Sequence, residues 1–348
     1  MRVAMVAGSY PPMACGIGDY TAKLAEALTA SGVNVNVYAA DIDWCLLKAK
    51  QLATKISAAK PDIVHIQYPG TGYGHKLGPQ ALSLLLKPCV VTLHEISQVQ
   101  LLRRVSLYPF AFGAERMIFT SDFEKNYSVK FASWLANRSS VIPIGSFISI
   151  PTEPCEKDLD DIVSFGLIRP NKGIEQVIAL AALIKAQCLP LNIRIIGSID
   201  PKRPQYLDEL QSASRSLPIT WDIGLSEPQV ANVLARSRIA YMPFPDGASE
   251  RRSSLLAVAL NGVATISTRG AFTTNELAES LAFADTPAQA LLAIKQLLEK
   301  PEQLDFLAQR AREYGQKRSW PHIASQHVDL YQKMIKNHLA AILQNQSR

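Results

Sequence analysis

The stretch DGASERRSSLLAVALNG, residues 246–262, sets the carboxylates of Asp246 and Glu250, the guanidiniums of Arg251 and Arg252 and the hydroxyls of Ser253 and Ser254 between two apolar runs, MPFP and VATIST. Carboxylates accept hydrogen bonds and serines both accept and donate, so this crowd can hold the hydroxyls of a sugar. Two arginines at the start of a Leu/Ala-rich helical pattern stand where the helix dipole disfavours cations. They call for an anionic partner, either a ligand's phosphates or Glu250. The plain alternative is a solvated helix start, with Ser249 and Glu250 as its N-terminal signature. The stretch alone leaves both readings open.

Three further segments carry candidate chemistry. In FGLIRPNKGIEQVIAL, Arg169 and Lys172 follow a strand-like run and precede a helix that opens near Gly173. A fork-shaped guanidinium and an ammonium at a helix N-terminus form a coherent diphosphate clamp. In CVVTLHEI, His94 falls at the carboxyl end of a strand, where it can hydrogen-bond a substrate hydroxyl. The structural alternative is a satisfied histidine, and it is the stronger reading for His65, inside IVHIQY. In GSYPPMACGIGDYTAKLAEAL, Gly16, Ile17 and Gly18 stand directly before a helix, where backbone N–H groups can approach an anion. This is not the dinucleotide fingerprint, because a long proline-containing loop precedes the glycines and Thr21 takes the third place.

The elements that must position these groups alternate regularly. RVAMVAG, VNVNVYA, DIVHIQY, CVVTLHE and RMIFTS read as strands separated by helix-compatible sequence. The rhythm restarts after IPTEPCEKDLDD, residues 150–161, which has the prolines and acidity of a linker. Beyond it, IVSFGLI, LNIRIIGS, ITWDIG, IAYMPFP and VATIST alternate with helices near 173–187, 204–215 and 226–236. Such alternation predicts two α/β domains with parallel sheets, the first over 1–149 and the second over 150–320. Ligands of such sheets bind outside the carboxyl ends of the strands. The tail from 321 to 348 reads as an amphipathic helix with Val328, Tyr331, Met334 and Leu339 near helical spacing.

Composition bounds the function. The 348 residues, 48% hydrophobic and 19% charged, describe an ordered globular chain too long for one ordinary core. The net charge of +6 is uneven, with 14 Lys/Arg against 9 Asp/Glu in residues 1–147 and 22 against 21 in the rest. A mildly basic first half suits an anionic surface or substrate, but the dense basic stripe with interleaved aromatics expected of a nucleic-acid binder is missing. Five cysteines without CxxC spacing indicate neither a disulfide framework nor a zinc site. The opening MRVAMVAGSYPP breaks at Gly8 and Pro11, too early for a signal peptide, and no run approaches the ~20 apolar residues of a membrane span. The expectation is a cytoplasmic protein. The apolar and aromatic segment SQVQLLRRVSLYPFAFG, with Arg103 and Arg104, suggests peripheral contact with an anionic membrane, against the alternative of a core helix with two exposed arginines.

Together, YPPMACGIGDY, VVTLHE, MIFTS followed by VIPIG, FGLIRPNKGIEQVIAL and ITWDIGLSEPQVANVLARSRIAYMPFP resemble glycosyltransferase family four, the retaining nucleotide-sugar-dependent enzymes of the GT-B fold. The pieces occur in the family's order over nearly the whole chain, and RPNKG is the most specific of them. The resemblance implies an α/β fold of two Rossmann-like domains facing across a cleft, with Gly145 or Ser146 near the interdomain crossing and the C-terminal helix crossing back to the first domain. It implies that Arg169 and Lys172, flanked by Gly166 and Gly173, hold a donor's pyrophosphate. Gly16, Ile17 and Gly18 would close over the donor, His94 would contact the transferred sugar, and Gly224 and Leu225 would meet the base. The implied reaction moves a hexosyl unit from a UDP- or GDP-sugar to a glycan or lipid-linked acceptor in exopolysaccharide assembly. No metal or other cofactor is implied, the leaving phosphate itself taking the acceptor's proton.

One departure stands out. Family members commonly carry two glutamates with seven residues between them, the first at the donor sugar and the second at the ribose. Aligning LAVALNG on the family's helix puts Ala257 in the second place and Ser249 in the first, with Glu250 one residue off. Asp246, Glu250, Arg251, Ser253 and Ser254 are the residues from which a rewritten donor site could be built. The broken pair also keeps open a catalytically altered relative, either an epimerase-like enzyme or a sugar- or nucleotide-binding protein.

Overall fold

The computed structural model describes residues 1–346 other than Ala14, Ala40, Asp41, 99–104 and Ser106. Arg103 and Arg104, counted above toward a membrane patch, lie outside the described residues. The chain divides into two units, Met1–Ile144 with Trp320–Arg348, and Gly145–Ser319.

The first unit is built on six parallel strands, β1 (Arg2–Ala7), β2 (Asn34–Tyr38), β3 (Ile63–Tyr68), β4 (Cys89–Leu93), β5 (Arg116–Phe119) and β6 (Ser139–Val141), in the order β2-β1-β3-β4-β5-β6. β3 and β4 are buried along their whole length. That is why their sequences run apolar instead of alternating. Val6, Ile66, Val91 and Phe119 meet Leu82 and Phe110 in the core. The helix Trp320–Gln346 belongs to this unit and buries Ile323, Ala324, His327, Tyr331 and Met334. Tyr331 and Met334 of the expected stripe are buried, but Val328 is only half-buried and Leu339 is 55% exposed, while the polar His327 is sealed. Counting apolar letters alone hid a histidine that shares the Tyr331 face at i, i+4 spacing.

The second unit has the strands β7 (Leu159–Phe165), β8 (Ile193–Gly197), β9 (Ile219–Ile223), β10 (Ser237–Met242), β11 (Ala264–Ser267) and β12 (Ala282–Phe283), parallel throughout and ordered β12-β11-β10-β7-β8-β9. The linker reading of 150–161 overran its end, since Leu159–Asp161 open β7. Asp160 and Asp161 are strand residues: Arg194 of β8 binds Asp161 at 2.8 Å and Asp222 of β9 at 2.7 Å, so three strands share one half-buried charge ladder. Ile162, Ile195, Tyr241 and Ile266 pack with Leu180 and Ile294 as its core.

Strand order reverses between β1 and β3 in one sheet and between β7 and β10 in the other. At such a switch point the flanking loops leave in opposite directions and open a crevice at the carboxyl edge.

Candidate functional site

At the first switch point the loop after β1 interlocks with the loop after β3. Ser9 Oγ lies 3.0 Å from Thr71 Oγ1 and accepts the Gly72 N–H at 3.1 Å. The helix Gly16–Ala30 then begins without a side-chain cap. Its first glycines differ in kind. A Cβ on Gly18 would stand 3.1 Å from the Ser9 carbonyl, so Gly18 serves packing, whereas Gly16 faces open space. Ile17 between them is half-buried. Cys15 precedes them; burial raises its thiol pKa, but hydrogen bonds from Thr71, the Gly18 N–H, Ser9 and the Ile17 N–H outweigh that and bring it down.

Tyr20 of the same helix sets its ring edge against His94, 4.8 Å between centroids. His94 is buried at the end of β4, its N–H donating to the Tyr68 carbonyl at 2.8 Å and its Nε2 lying 2.9 Å from Gln67 Oε1. Glu95, left-handed at φ 43°, turns the chain sharply after it; a non-glycine residue there stores on the order of 1 kcal/mol. Burial, and then the charge of His327, push the His94 pKa down to about 3, so the ring is neutral at physiological pH. His65, in the interior of β3, is fully buried and hydrogen-bonded, as its structural reading requires.

At the second switch point the loops after β7 and β10 meet. Asn171 and Gly173 are both left-handed, at φ 63° and 79°, and hold Lys172 between them at the start of the helix Ile174–Ala186. Gly173 has no alternative: a Cβ would lie 1.9 Å from the Pro243 carbonyl oxygen. Lys172 is half-buried, and its pKa is lowered by burial first and then by the like charges of Arg252 and Arg169, with Asp246 acting against them. Arg169 is exposed.

The stretch 246–262 divides between two neighbourhoods. Asp246 and Arg252 form an ion pair, Arg252 lying 4.7 Å over the Phe244 ring, and both act on Lys172. Arg252 occupies the N-cap position of the helix Ser253–Leu260, which no side chain caps. Ser249 is therefore not the cap, and the anionic partner required of Arg252 is Asp246. Arg251 instead lies 5.3 Å over Phe272, and Glu250 binds Arg318 at 2.7 Å. Ala257, in the ribose glutamate's place, is fully buried.

Ser254 lies 3.6 Å from the Cβ position of Gly166. Gly166 begins a row of glycines along the carboxyl edge: it donates to the Ile196 carbonyl, Gly197 packs against its oxygen, and Gly224 donates to the Gly197 carbonyl at 2.9 Å. Gly224 is exposed and left-handed at φ 74°, with half-buried Leu225 following. The second unit thus brings together Arg169, Lys172, Gly173, Gly166, Asp246 and Ser254, with Ser253 exposed at the same helix start and Gly224 and Leu225 at the far end of the row. Glu250 and Arg251 turn toward the 272–276 and Arg318 side. Sequence reasoning named Arg252 but did not place it beside Lys172, and it missed Gly197 as the middle of the row. A glycine closing each of three successive strands was the available signal.

Chemically, the edge offers cations and uncapped helix starts for an anion beside a surface bare of side chains for a flat group. Among the described residues no group of three or more His, Cys, Asp or Glu is arranged to hold a metal ion.

No family model and no curated protein matches the chain. Solved structures do. A glycosyltransferase from Rickettsia africae superposes with a TM-score of 0.72 at 13% identity, covering 97% of this chain and 99% of that one. Sucrose-phosphate synthase from Thermosynechococcus elongatus gives 0.63 at 16%, covering 97% and 100%. Anabaena HepE in complex with UDP-glucose gives 0.63 at 14%, covering 98% and 100%. These neighbours are glycosyltransferases of the GT-B fold, and this chain shares that fold.

Proposed function

We propose that this chain is a retaining glycosyltransferase that moves a hexosyl unit from a UDP- or GDP-sugar to a hydroxyl of a glycan or lipid-linked acceptor in polysaccharide assembly. The observation that carries the reading is Lys172, set by two left-handed residues at a helix start within the field of Arg169 and Arg252. Asp246 offsets only one of these three cations, so an anionic ligand would still be favoured beside them. Charge develops on the leaving diphosphate, and preorganised cations and helix N–H groups stabilise it without a metal. The diphosphate oxygen then takes the acceptor's proton on the face it leaves. Ser253, Ser254 and Asp246 are assigned to donor hydroxyls, Gly224 and Leu225 to the base, and His94 to the transferred sugar. The UDP-glucose in HepE supports a uridine nucleotide as the first to try.

A panel of UDP-, GDP- and ADP-sugars, read by thermal shift and by donor hydrolysis, tests this. One nucleotide at a hundredfold its Kd should stabilise by about 2.7 kcal/mol, and Arg169→Ala should abolish both signals. A panel without effect on stability or turnover overturns the reading. A second reading, a GT-B protein that binds a nucleotide sugar without transferring it, is favoured by Glu250 being held by Arg318 and Ala257 being sealed. Stabilisation by a donor without turnover, across glycan and lipid acceptors, selects it.

The reading includes peripheral membrane contact. No helix among the described residues is long and apolar enough to cross a membrane. The helices Leu46–Ala58, Gly78–Leu85 and Tyr108–Gly113 pack in succession and expose Leu47, Leu84, Leu85 and Phe112 beside Lys48, Lys50 and Lys87. Exposed apolar side chains with lysines on the same helices and their flanks suit an anionic bilayer surface. Flotation with anionic vesicles at low salt should carry the protein up, and Leu47→Glu with Phe112→Glu should leave it at the bottom.

A further inference from the structure

Behind His94 lies a sealed chain of polar side chains that the donor chemistry leaves unexplained. From the C-terminal helix, Tyr331 Oη lies 2.6 Å from His65 Nδ1. His65 Nε2 lies 2.7 Å from Thr92 Oγ1 and 3.2 Å from Gln67 Nε2. Gln67 Oε1 then meets His94 Nε2. Tyr331, His65, Thr92 and Gln67 are completely buried.

The Gln67 amide determines the direction of the chain. Its NH2 faces Met5 Sδ at 3.3 Å and His65 Nε2, and its oxygen faces His94. A thioether can only accept, so turning the amide over would set its oxygen against the sulfur. With the oxygen toward His94, the nitrogen opposite it must donate. His94 is then protonated on Nε2 and bears its lone pair on Nδ1, which has no hydrogen-bond partner among the described residues. The same logic runs backward. His65 Nε2 accepts from Gln67, so His65 Nδ1 carries the proton and donates it to Tyr331 Oη. Burial keeps both rings neutral.

We propose that Gln67, itself oriented by His65 and Tyr331, is a positioning residue that fixes His94 as its Nε2–H tautomer, so that Nδ1 is presented as a hydrogen-bond acceptor for a substrate hydroxyl. A lone pair at this point selects a group with a proton to give. It takes a sugar hydroxyl and repels a carboxylate or phosphate oxygen, so the sugar faced by His94 is neutral at that position. That the hydroxyl belongs to a transferred sugar rests on the proposed transferase; the tautomer does not.

The tautomer is read directly by long-range ¹⁵N–¹H correlation on the full chain labelled at its six histidines, with His94→Asn identifying the signal. The wild type should show His94 protonated on Nε2 alone. Gln67→Met, which offers no amide oxygen, should move it to a mixture or to Nδ1–H. Tyr331→Phe removes the acceptor for His65 Nδ1–H, which favours the reversed amide, and should move His94 the same way. Wild-type His94 protonated on Nδ1, or a signal unchanged in Gln67→Met, overturns the proposal; a signal unchanged in Tyr331→Phe removes Tyr331 from the chain. In the transferase assay Gln67→Met should cost roughly tenfold in kcat/KM, about one hydrogen bond. A wild type that turns over no donor would refute the transferase while leaving the tautomer result standing.

Discussion

Glu250 accepts a 2.7 Å hydrogen bond from Nη2 of Arg318, a guanidinium only 5% exposed that also reaches Glu276 at 3.3 Å and lies 3.7 Å over the Tyr314 ring. The Arg318 carbonyl accepts from the Ser146 N–H, so this one residue ties the loop after β10 to both ends of the second unit. A carboxylate so engaged is a strut before it is a ligand. Arg318→Leu strips Glu250 of its partner, while Glu276 keeps Lys317 at 2.8 Å, and should lower stability by about 2–3 kcal/mol. Glu250→Gln should cost about 1–2 kcal/mol. Denaturant titration reads both; a Glu250→Gln protein of wild-type stability that no longer turns over donor would return Glu250 to the sugar.

Two glycines at helix starts should respond in opposite ways. Gly173 is left-handed with the Pro243 oxygen where its Cβ would go, and Gly173→Ala should cost ~2 kcal/mol or more. Gly16 opens its helix with empty space around it, so Gly16→Ala should leave stability within about 0.5 kcal/mol. If Gly16 admits a ligand to the backbone, the same substitution weakens donor binding. The pairing of an unchanged melting temperature with a raised Kd is the expected outcome.

The parallel sheets were legible because their strands are short apolar runs between helical periods, a pattern set by burial on both faces. The positions of Arg169, Lys172 and Gly173 were legible because a strand end followed by a helix start is a local event. What the letters could not carry was pairing. Arg252 and Asp246 join while Glu250, between them, turns away to a partner 68 residues along. His65 meets Tyr331 across 266 residues, a contact that exists only because the last helix packs on the first sheet. Gly197 and His327 were hidden for another reason: neither type stands out from its neighbours until the strand ends are aligned and the helix is turned to its buried face.

If Lys172 holds a diphosphate as proposed, binding should have an alkaline limit lower than that of an ordinary lysine. Binding a diphosphate needs the ammonium, and burial with the charges of Arg252 and Arg169 lowers its pKa from the usual 10.5. Charge is full below that lowered value and is lost as pH rises through it, so UDP affinity should begin to fall before pH 10.5. Arg252→Met removes a like charge and frees Asp246, both of which raise the Lys172 pKa. The alkaline fall should then move to higher pH while affinity near pH 7 drops about tenfold or more, as for one charge-assisted hydrogen bond. Calorimetric titration of UDP from pH 7 to 10 reads both shifts; a fall at the same pH in both proteins would remove Lys172 as its cause.

The three buried histidines of the first unit should make it acid-labile. Burial lowers His65 well below 6.5, His94 to about 3 and His327 to about 4, and the like charges of the neighbouring histidines add to the effect on His65 and His94. His327 Nδ1 lies 2.8 Å from the Ile323 carbonyl, while its Nε2 is sealed without a partner; protonation there would bury an uncompensated charge. In the unfolded chain all three take up protons near pH 6.5, so their contribution is complete above that pH and is lost as pH falls toward the folded values. Each histidine changes stability by ~1 kcal/mol or slightly more per pH unit within that window, and the three together by about 4 kcal/mol per unit. Urea midpoints should therefore drop steeply between pH 6.5 and 4. His327→Gln should flatten the slope by about one proton, and a slope unchanged by that substitution would mean that His327 is not held neutral by the fold.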